Sequence, residues 1–194
     1  MSTAEENLSV RAKKQKQLDK IAAEIEACAE CKRNKIGLAV PGEGNPDADV
    51  IFIGEAPGKN EAECGRPFIG RAGKVLRAFI NKMGYKDEDV YITSPVKRLP
   101  VYTTPTPEDI AHGCIHLSKQ LKVIQPKYLV LLGNVACQAV LGEKIAISKE
   151  HGKVIEKDGL KYFISYHPAA GLYAPAVRPD MVKDFIKLKK LLKA

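Results

Sequence analysis

Residues 49–84 read DVIFIGEAPGKNEAECGRPFIGRAGKVLRAFINKMG. The stretch opens on a short apolar run, "DVIFIG" (49–54), rich in Val, Ile and Phe, the composition of a strand buried on both faces. The run ends in a glycine-rich loop. "AGKVLRAFINKMG" (72–84) then predicts a helix, with Val75, Leu76, Phe79, Ile80 and Met83 on its apolar face and Gly84 as its stop. A buried strand, a loop and an amphipathic helix in this order form the opening half of a strand–helix–strand unit.

The pattern continues on both sides. "DVYITS" (89–94) predicts a second strand and "KYLVLLG" (127–133) a third, followed by a short helix in "NVACQAVLG". Between them, "TPEDIAHGCIHLSKQLKVIQP" reads as a helix, with Thr106 as N-cap, Pro107 at its first position and Pro126 past its end. "KVIEKDGLKYFISY" predicts a hairpin turning at Asp158-Gly159, and "PDMVKDFIKLKKLLKA" a basic amphipathic helix. Residues 5–27 carry Leu18, Ile21, Ala22 and Ile25 at helical spacing. Strands alternating with helices imply an α/β fold: one domain over residues 1–194 with an N-terminal helix (1–27), in three α/β/α layers about a mainly parallel four-stranded sheet. Ligands of such sheets sit at the carboxyl ends of the strands. Three loops there, "GEAPGKNEAECGRPFIG", "TSPVKRLP" and "YHPAAGLYAP", are expected to converge on one site.

The chain has 194 residues, of which 45% are apolar, and a formal net charge of +8. That apolar share supports a buried core, and no run is long enough to span a membrane. The first twenty residues are charged and lack the apolar segment of a secretory signal, so a cytoplasmic location is expected. Excess Lys and Arg favour polyanionic partners, or form a solvated surface. Five cysteines in a cytosolic chain argue against a disulfide framework, and Cys137, among small apolar residues, reads as a packed core thiol. Cys28 and Cys31, in "CAEC", have a spacing that clamps a metal, holds an iron–sulfur cluster or shuttles a disulfide.

The first of the three loops is no phosphate cradle. It lacks the glycine order such a cradle requires and carries Glu55, Glu61 and Glu63. Carboxylates at a strand end suit a water, a base edge or a developing cation. Phe68, held in "GRPFIG", is either a platform for a planar ligand or a core residue. His167 precedes Pro168, which restricts it to extended geometry at a strand end facing the acidic loop. Leu172 and Tyr173 tip the third loop, either to wedge into a base stack or to pack on their own domain.

"VPGEGNPDADVIFIGEAPGKNEAECGRPFIGRAGKVLRAFI", "DVYIT" with its following "VK", "PTPEDI", "QPKYLVLLG" and "SYHPAA" run in the order found in the type 4 (iron–sulfur) uracil-DNA glycosylases, over roughly residues 20–190. The chain resembles that family. The resemblance implies a monofunctional DNA glycosylase of base-excision repair, which flips uracil out of DNA and hydrolyses its N-glycosidic bond. It implies a base pocket of Gly54, Ala56, Phe68 and the residue at Ser94, with Glu55 in the pocket and Glu61 near the attacking water. His167 would donate to O2 of the leaving uracil, and Leu172 and Tyr173 would fill the vacated stack. DNA, single- or double-stranded, is the implied partner of a monomeric enzyme.

The chain departs from the family at two places. Where the family reads uracil with an asparagine, this chain has Ser94, which offers one hydroxyl in place of an amide's donor and acceptor. A glycosylase for another deaminated base such as hypoxanthine, or a catalytically silent nucleic-acid-binding homologue, is therefore a second reading. The family's [4Fe–4S] cluster takes four cysteines. Cys28 and Cys31 match two of them, but Arg98 and Gly113 occupy the other two positions. Either Cys114, one residue late, swings in with His112 or His116 as a further ligand, or the cluster is lost and Cys28 and Cys31 are free thiols or bind another metal. Lys97 and Arg98 are expected to meet DNA phosphates, or Arg98 to plug the cluster's space by pairing with an acid.

Overall fold

A computed structural model describes residues 3–102 and 104–193. The elements run α1 (Thr3–Ala27), α2 (Ala29–Lys32), β1 (Lys35–Ile36), β2 (Glu43–Gly44), β3 (Val50–Ile53), α3 (Lys59–Cys64), α4 (Arg71–Met83), β4 (Tyr91–Thr93), β5 (Leu99–Pro100), α5 (Pro107–Ile124), β6 (Tyr128–Leu132), α6 (Asn134–Leu141), α7 (Ile147–Glu150), β7 (Val154–Lys157), β8 (Leu160–Ser165), α8 (Ala170–Tyr173) and α9 (Arg178–Leu192). The expected closing helix extends to Ala194, which lies outside the described residues.

The central sheet has the order β2-β4-β3-β6-β8-β7. Its four inner strands are parallel, as expected, and two short antiparallel edges, β2 and β7, widen it to six. The β7–β8 hairpin turns at Asp158 and Gly159, both at positive φ, which suits a two-residue turn between twisted strands.

Side chains alternate along each strand and feed two cores. Ile51 and Ile53 of β3 join Leu129 and Leu131 of β6 under α1 and α5, against Leu18, Ile21, Ile25, Leu117 and Ile124. Val50 and Phe52 join Val130 and Leu132 on the opposite face, under α4 and α9, against Leu76, Ile80, Phe185 and Leu188. Helices thus cover both faces of a sheet whose strands are apolar on both sides.

The caps follow the sequence. Thr106 accepts the backbone N–H of Asp109 while Asp109 accepts that of Thr106, a reciprocal box that starts α5 with Pro107 at its first position. Gly84, in the left-handed region, ends α4.

The chain leaves β3 for β4 on one side, then crosses to β6 on the other. The carboxyl end of β3 is therefore the point where the winding reverses, and a crevice opens there. Gly54 follows β3, Ser94 follows β4, and His167 lies two residues past β8.

A second, two-stranded sheet pairs β1 with β5, Lys35 opposite Pro100 and Ile36 opposite Leu99. It runs the segment after Cys31 alongside the segment after β4, so that Val40 donates its N–H to the Lys97 carbonyl.

Candidate active site

A cavity of about 610 Å³ lies over the strand ends. Glu55, Ala56, Glu61, Phe68, Ser94, His167, Leu172 and Tyr173 all line it, so the three loops do converge. Gly54, directly after β3, packs against the Phe68 ring beneath the cavity. A side chain there would meet the Phe68 ring at 2.5 Å, so the backbone's closeness to the ring requires glycine.

Phe68 is held in a conformation that bulky residues rarely adopt, with φ of +52°. The loop is clamped from two sides. Glu61 Oε1 accepts the backbone N–H groups of Ile69 and Gly70, each at 2.8 Å. From the first turns of α4, Arg77 donates to the carbonyls of Phe68 (3.0 Å) and Pro67 (2.9 Å). Arg77 is itself fixed by Glu43, at 2.6 Å, and by Asp87. These bonds offset a backbone strain of about 1–3 kcal/mol and present the ring to the cavity.

His167 stands 5.8 Å from Phe68, centroid to centroid. Its Nδ1 accepts the backbone N–H of Ala169 at 3.2 Å. An accepting Nδ1 carries no proton, so the neutral ring bears its hydrogen on Nε2, which lies close to Gly54. Burial pulls the imidazolium down to about 4, with a weaker opposing pull from Glu61, so the ring is neutral near pH 7. The site therefore offers a neutral N–H donor beside the Phe68 ring.

The two carboxylates differ. Glu61 spends one oxygen on the loop amides. Glu55 engages no donor among the described residues, and burial pushes its carboxyl up from the usual range. Its lone pairs are open to a water. Ser94 donates its hydroxyl hydrogen to the Val96 carbonyl at 2.8 Å, leaving it able only to accept from a ligand.

Lys97 and Arg98 do not meet the expectation of phosphate contact. Lys97 is 2% exposed and donates to Pro41 O (3.1 Å), Thr93 Oγ1 (2.8 Å) and Gln120 Oε1 (2.8 Å). Burial pulls its ammonium down to about 7. Arg98 is 7% exposed, donates to Gly37 O at 2.5 Å and pairs with Glu26 at 2.7 Å. Both tie the segment after β4 to the interior. The exposed cations at the cavity rim are instead Lys59 and Arg71, each the first residue of a helix that leaves the loop. Their signal was their place in the glycine-rich loop itself. Tyr173 projects from α8, 80% exposed.

The four-cysteine ligand set is not assembled. Cys114 turns away and donates to Ala139 O at 3.2 Å. Gly113 passes so close to the preceding loop that a side chain there would meet Pro95 O at 2.2 Å. Arg98 fills the remaining position. A [4Fe–4S] cube held by four thiolates does not fit these residues. Cys28 and Cys31 face both His112 and His116, all four ligand atoms lying within 4.8 Å of one another. Burial and the neighbouring Cys28 push the Cys31 thiol up to about 12, and burial holds His116 below its ordinary value. The convergence of both histidines was legible in principle, since residues four apart share a helix face.

Comparison with known proteins bears on this fold and cavity. The profile of the uracil DNA glycosylase superfamily matches residues 41–189. The chain is 40% identical over 184 residues to the type-4 uracil-DNA glycosylase of Archaeoglobus fulgidus, covering 90% of this chain and 92% of that one. It is 41% identical over 187 residues to the type-4 enzyme of Saccharolobus solfataricus, covering 90% and 86%. Identity to a type-5 uracil-DNA glycosylase of Pyrobaculum aerophilum is 33% over 151 residues, covering 69% and 66%. The chain belongs to the uracil DNA glycosylase superfamily.

Proposed function

We propose that this protein is a monofunctional DNA glycosylase that hydrolyses the N-glycosidic bond of uracil in DNA, acting in the cytosol in base-excision repair. The observation that carries the reading is the neutral His167 ring, its Nε2–H facing a cavity that Phe68 walls. A base must leave the stack to be cut, and once flipped it needs a π surface to rest on. Phe68 supplies that surface. As the C1′–N1 bond lengthens, negative charge gathers on the uracil ring and positive charge on the sugar. His167 Nε2–H donates to the uracil O2, in a site that water does not fully screen. Glu55 accepts a proton from the attacking water, whose oxygen bonds to C1′ as the uracil anion departs. Glu61 acts through the loop it braces, positioning Phe68.

Ser94 accepts and cannot donate to the base, so it suits the N3–H of uracil and repels the bare N3 of cytosine. Hypoxanthine presents the same N–H beside a carbonyl, and this keeps a second deaminated base in view. Leu172 and the exposed Tyr173 sit at the cavity mouth, where they would fill the gap left by the flipped base. Lys59 and Arg71 at the rim would meet phosphates.

The test is single-turnover release of uracil, hypoxanthine or xanthine from single- and double-stranded oligonucleotides, read as alkali-labile sites. Uracil release that His167→Ala nearly abolishes, with DNA binding retained, is the expected result. Absence of cleavage on every substrate would overturn the reading.

A further inference from the structure

We propose that Cys28, Cys31, His112 and His116 bind a single zinc ion in a tetrahedral Cys₂His₂ site, in place of an iron–sulfur cluster. The four residues come from two elements. Cys28 caps α2 and Cys31 lies one turn on, its backbone N–H donating to Cys28 Sγ at 3.3 Å. This amide-to-sulfur bond is the kind that orients a metal thiolate and offsets its charge. His112 and His116 are four residues apart on α5, their rings 5.5 Å apart on one face. C-x₂-C facing H-x₃-H falls within the ligand spacing of structural zinc sites.

The distances separate a lone ion from a cluster. With metal–sulfur and metal–nitrogen bonds of about 2.3 and 2.0–2.1 Å, the edges of a tetrahedral site are roughly 3.3–3.8 Å. Cys28 Sγ and His112 Nε2 already stand 3.2 Å apart, and no pair among the four ligand atoms exceeds 4.8 Å. A cluster spreads its protein ligands over several irons and needs wider separations. Two soft thiolates with two imidazoles in a tetrahedron is a zinc donor set.

A second observation points to a ligand independently. His116 is 6% exposed, and among the described residues neither ring nitrogen has a hydrogen-bond partner. A buried imidazole with both nitrogens unmet is rare in a finished interior. The Cys28–His112 contact accounts for one histidine and leaves this one without a function in the protein alone. A metal at the centre of the group satisfies one nitrogen of His116 directly. The charges also close: two thiolates neutralise a divalent ion, which leaves the buried Lys97 beside a neutral unit. The ion would pin the segment after α1 to α5, close to where Arg98, from the segment after β4, pairs with Glu26 of α1.

Protein from cells grown with both iron and zinc, purified anaerobically, is analysed for metals and acid-labile sulfide. One zinc per chain and a colourless protein without sulfide are expected. Replacement by cobalt should give the intense visible bands of a tetrahedral ion with a thiolate charge-transfer band, and both should vanish in Cys28→Ser. Cys114→Ser, outside the group, should keep the full spectrum. Should Cys28→Ser fail to fold, zinc displacement from the unaltered protein by a chelator serves instead, with two thiols becoming reactive per zinc released. Iron with sulfide in any ratio, another metal in place of zinc, or zinc bound no more tightly than by His112→Ala/His116→Ala would overturn the proposal.

Discussion

At neutral pH the chemistry proposed for His167 depends on an uncharged ring, and the environment of that ring sets how firmly it stays uncharged. Burial takes its pKa from an ordinary 6.5 to about 4. That gap corresponds to roughly 3 kcal/mol of preference for the neutral form. As pH falls through about 6.5 the unfolded chain takes up a proton at this residue, whereas the folded chain takes one up only near 4. The unfolded state therefore binds more protons in that window, and the folded state loses stability as pH falls through it. Between pH 7 and pH 5 the loss from this one residue should be about 2 kcal/mol. His167→Asn removes the titration, so urea unfolding at the two pH values should show the wild type losing about 2 kcal/mol more than the variant. The single-turnover rate of the wild type should likewise carry no inflection near pH 6.5 from this group. At pH 7 the substitution should cost about 10²–10³ in rate, the usual loss of a donor to a developing anion. Parallel loss of stability in wild type and variant, or a rate inflection near 6.5 that the variant lacks, would refute the buried, neutral-donor account.

Other perturbations separate the roles of neighbouring residues. Phe68→Ala should lower affinity for the flipped base by about 1–3 kcal/mol, seen as a raised KM for uracil-containing oligonucleotide with little effect on binding undamaged DNA. Glu55→Gln should depress the cleavage rate while leaving the urea midpoint unchanged or slightly raised, because it removes a carboxylate whose charged form burial disfavours. Glu61→Ala should instead lower stability by about 1–3 kcal/mol, measured by thermal melting, because two loop amides lose their acceptor. Lys97→Met should destabilise by about 2–4 kcal/mol in urea titration, since it strands the oxygens of Pro41, Thr93 and Gln120 without their shared donor.

Much of this was legible in the chain. The strand from 49 to 54, the helix ending at Gly84, the Thr106 cap and the Asp158-Gly159 hairpin rest on local rules of burial, capping and backbone freedom, and local rules are written in consecutive residues. Placing Glu55, Phe68, Ser94 and His167 together needed one further rule, that parallel sheets gather their loops at one edge. The expectation that Lys97 and Arg98 meet phosphates failed for a different reason, while the alternative for Arg98, plugging the cluster's space by pairing with an acid, is what its bond to Glu26 shows. A cation after a strand looks solvent-facing until the acceptors that bury it are known. Those acceptors are Pro41 and Gln120 for one residue and Glu26 and Gly37 for the other, brought in from 23 to 72 positions away. The edge strand β2 escaped notice because two residues carry too little pattern to register. The pairing of both histidines with both cysteines needed the packing angle between α2 and α5, which no local periodicity encodes.

The tight passage of α5 past Pro95 bears on how readily this site can change its character. A cysteine at position 113 would drive its first side-chain carbon to 2.2 Å from the Pro95 oxygen. Restoring a four-thiol set is therefore no matter of exchanging Arg98 and Gly113 for cysteine: the helix would have to lift off the loop, disturbing the residues on either side of Ser94. The close contact works as a ratchet. Once the backbone has settled against that oxygen, single substitutions at 98 or 113 lead to weaker packing before they lead to a new ligand, and the two histidines are the donors still within reach.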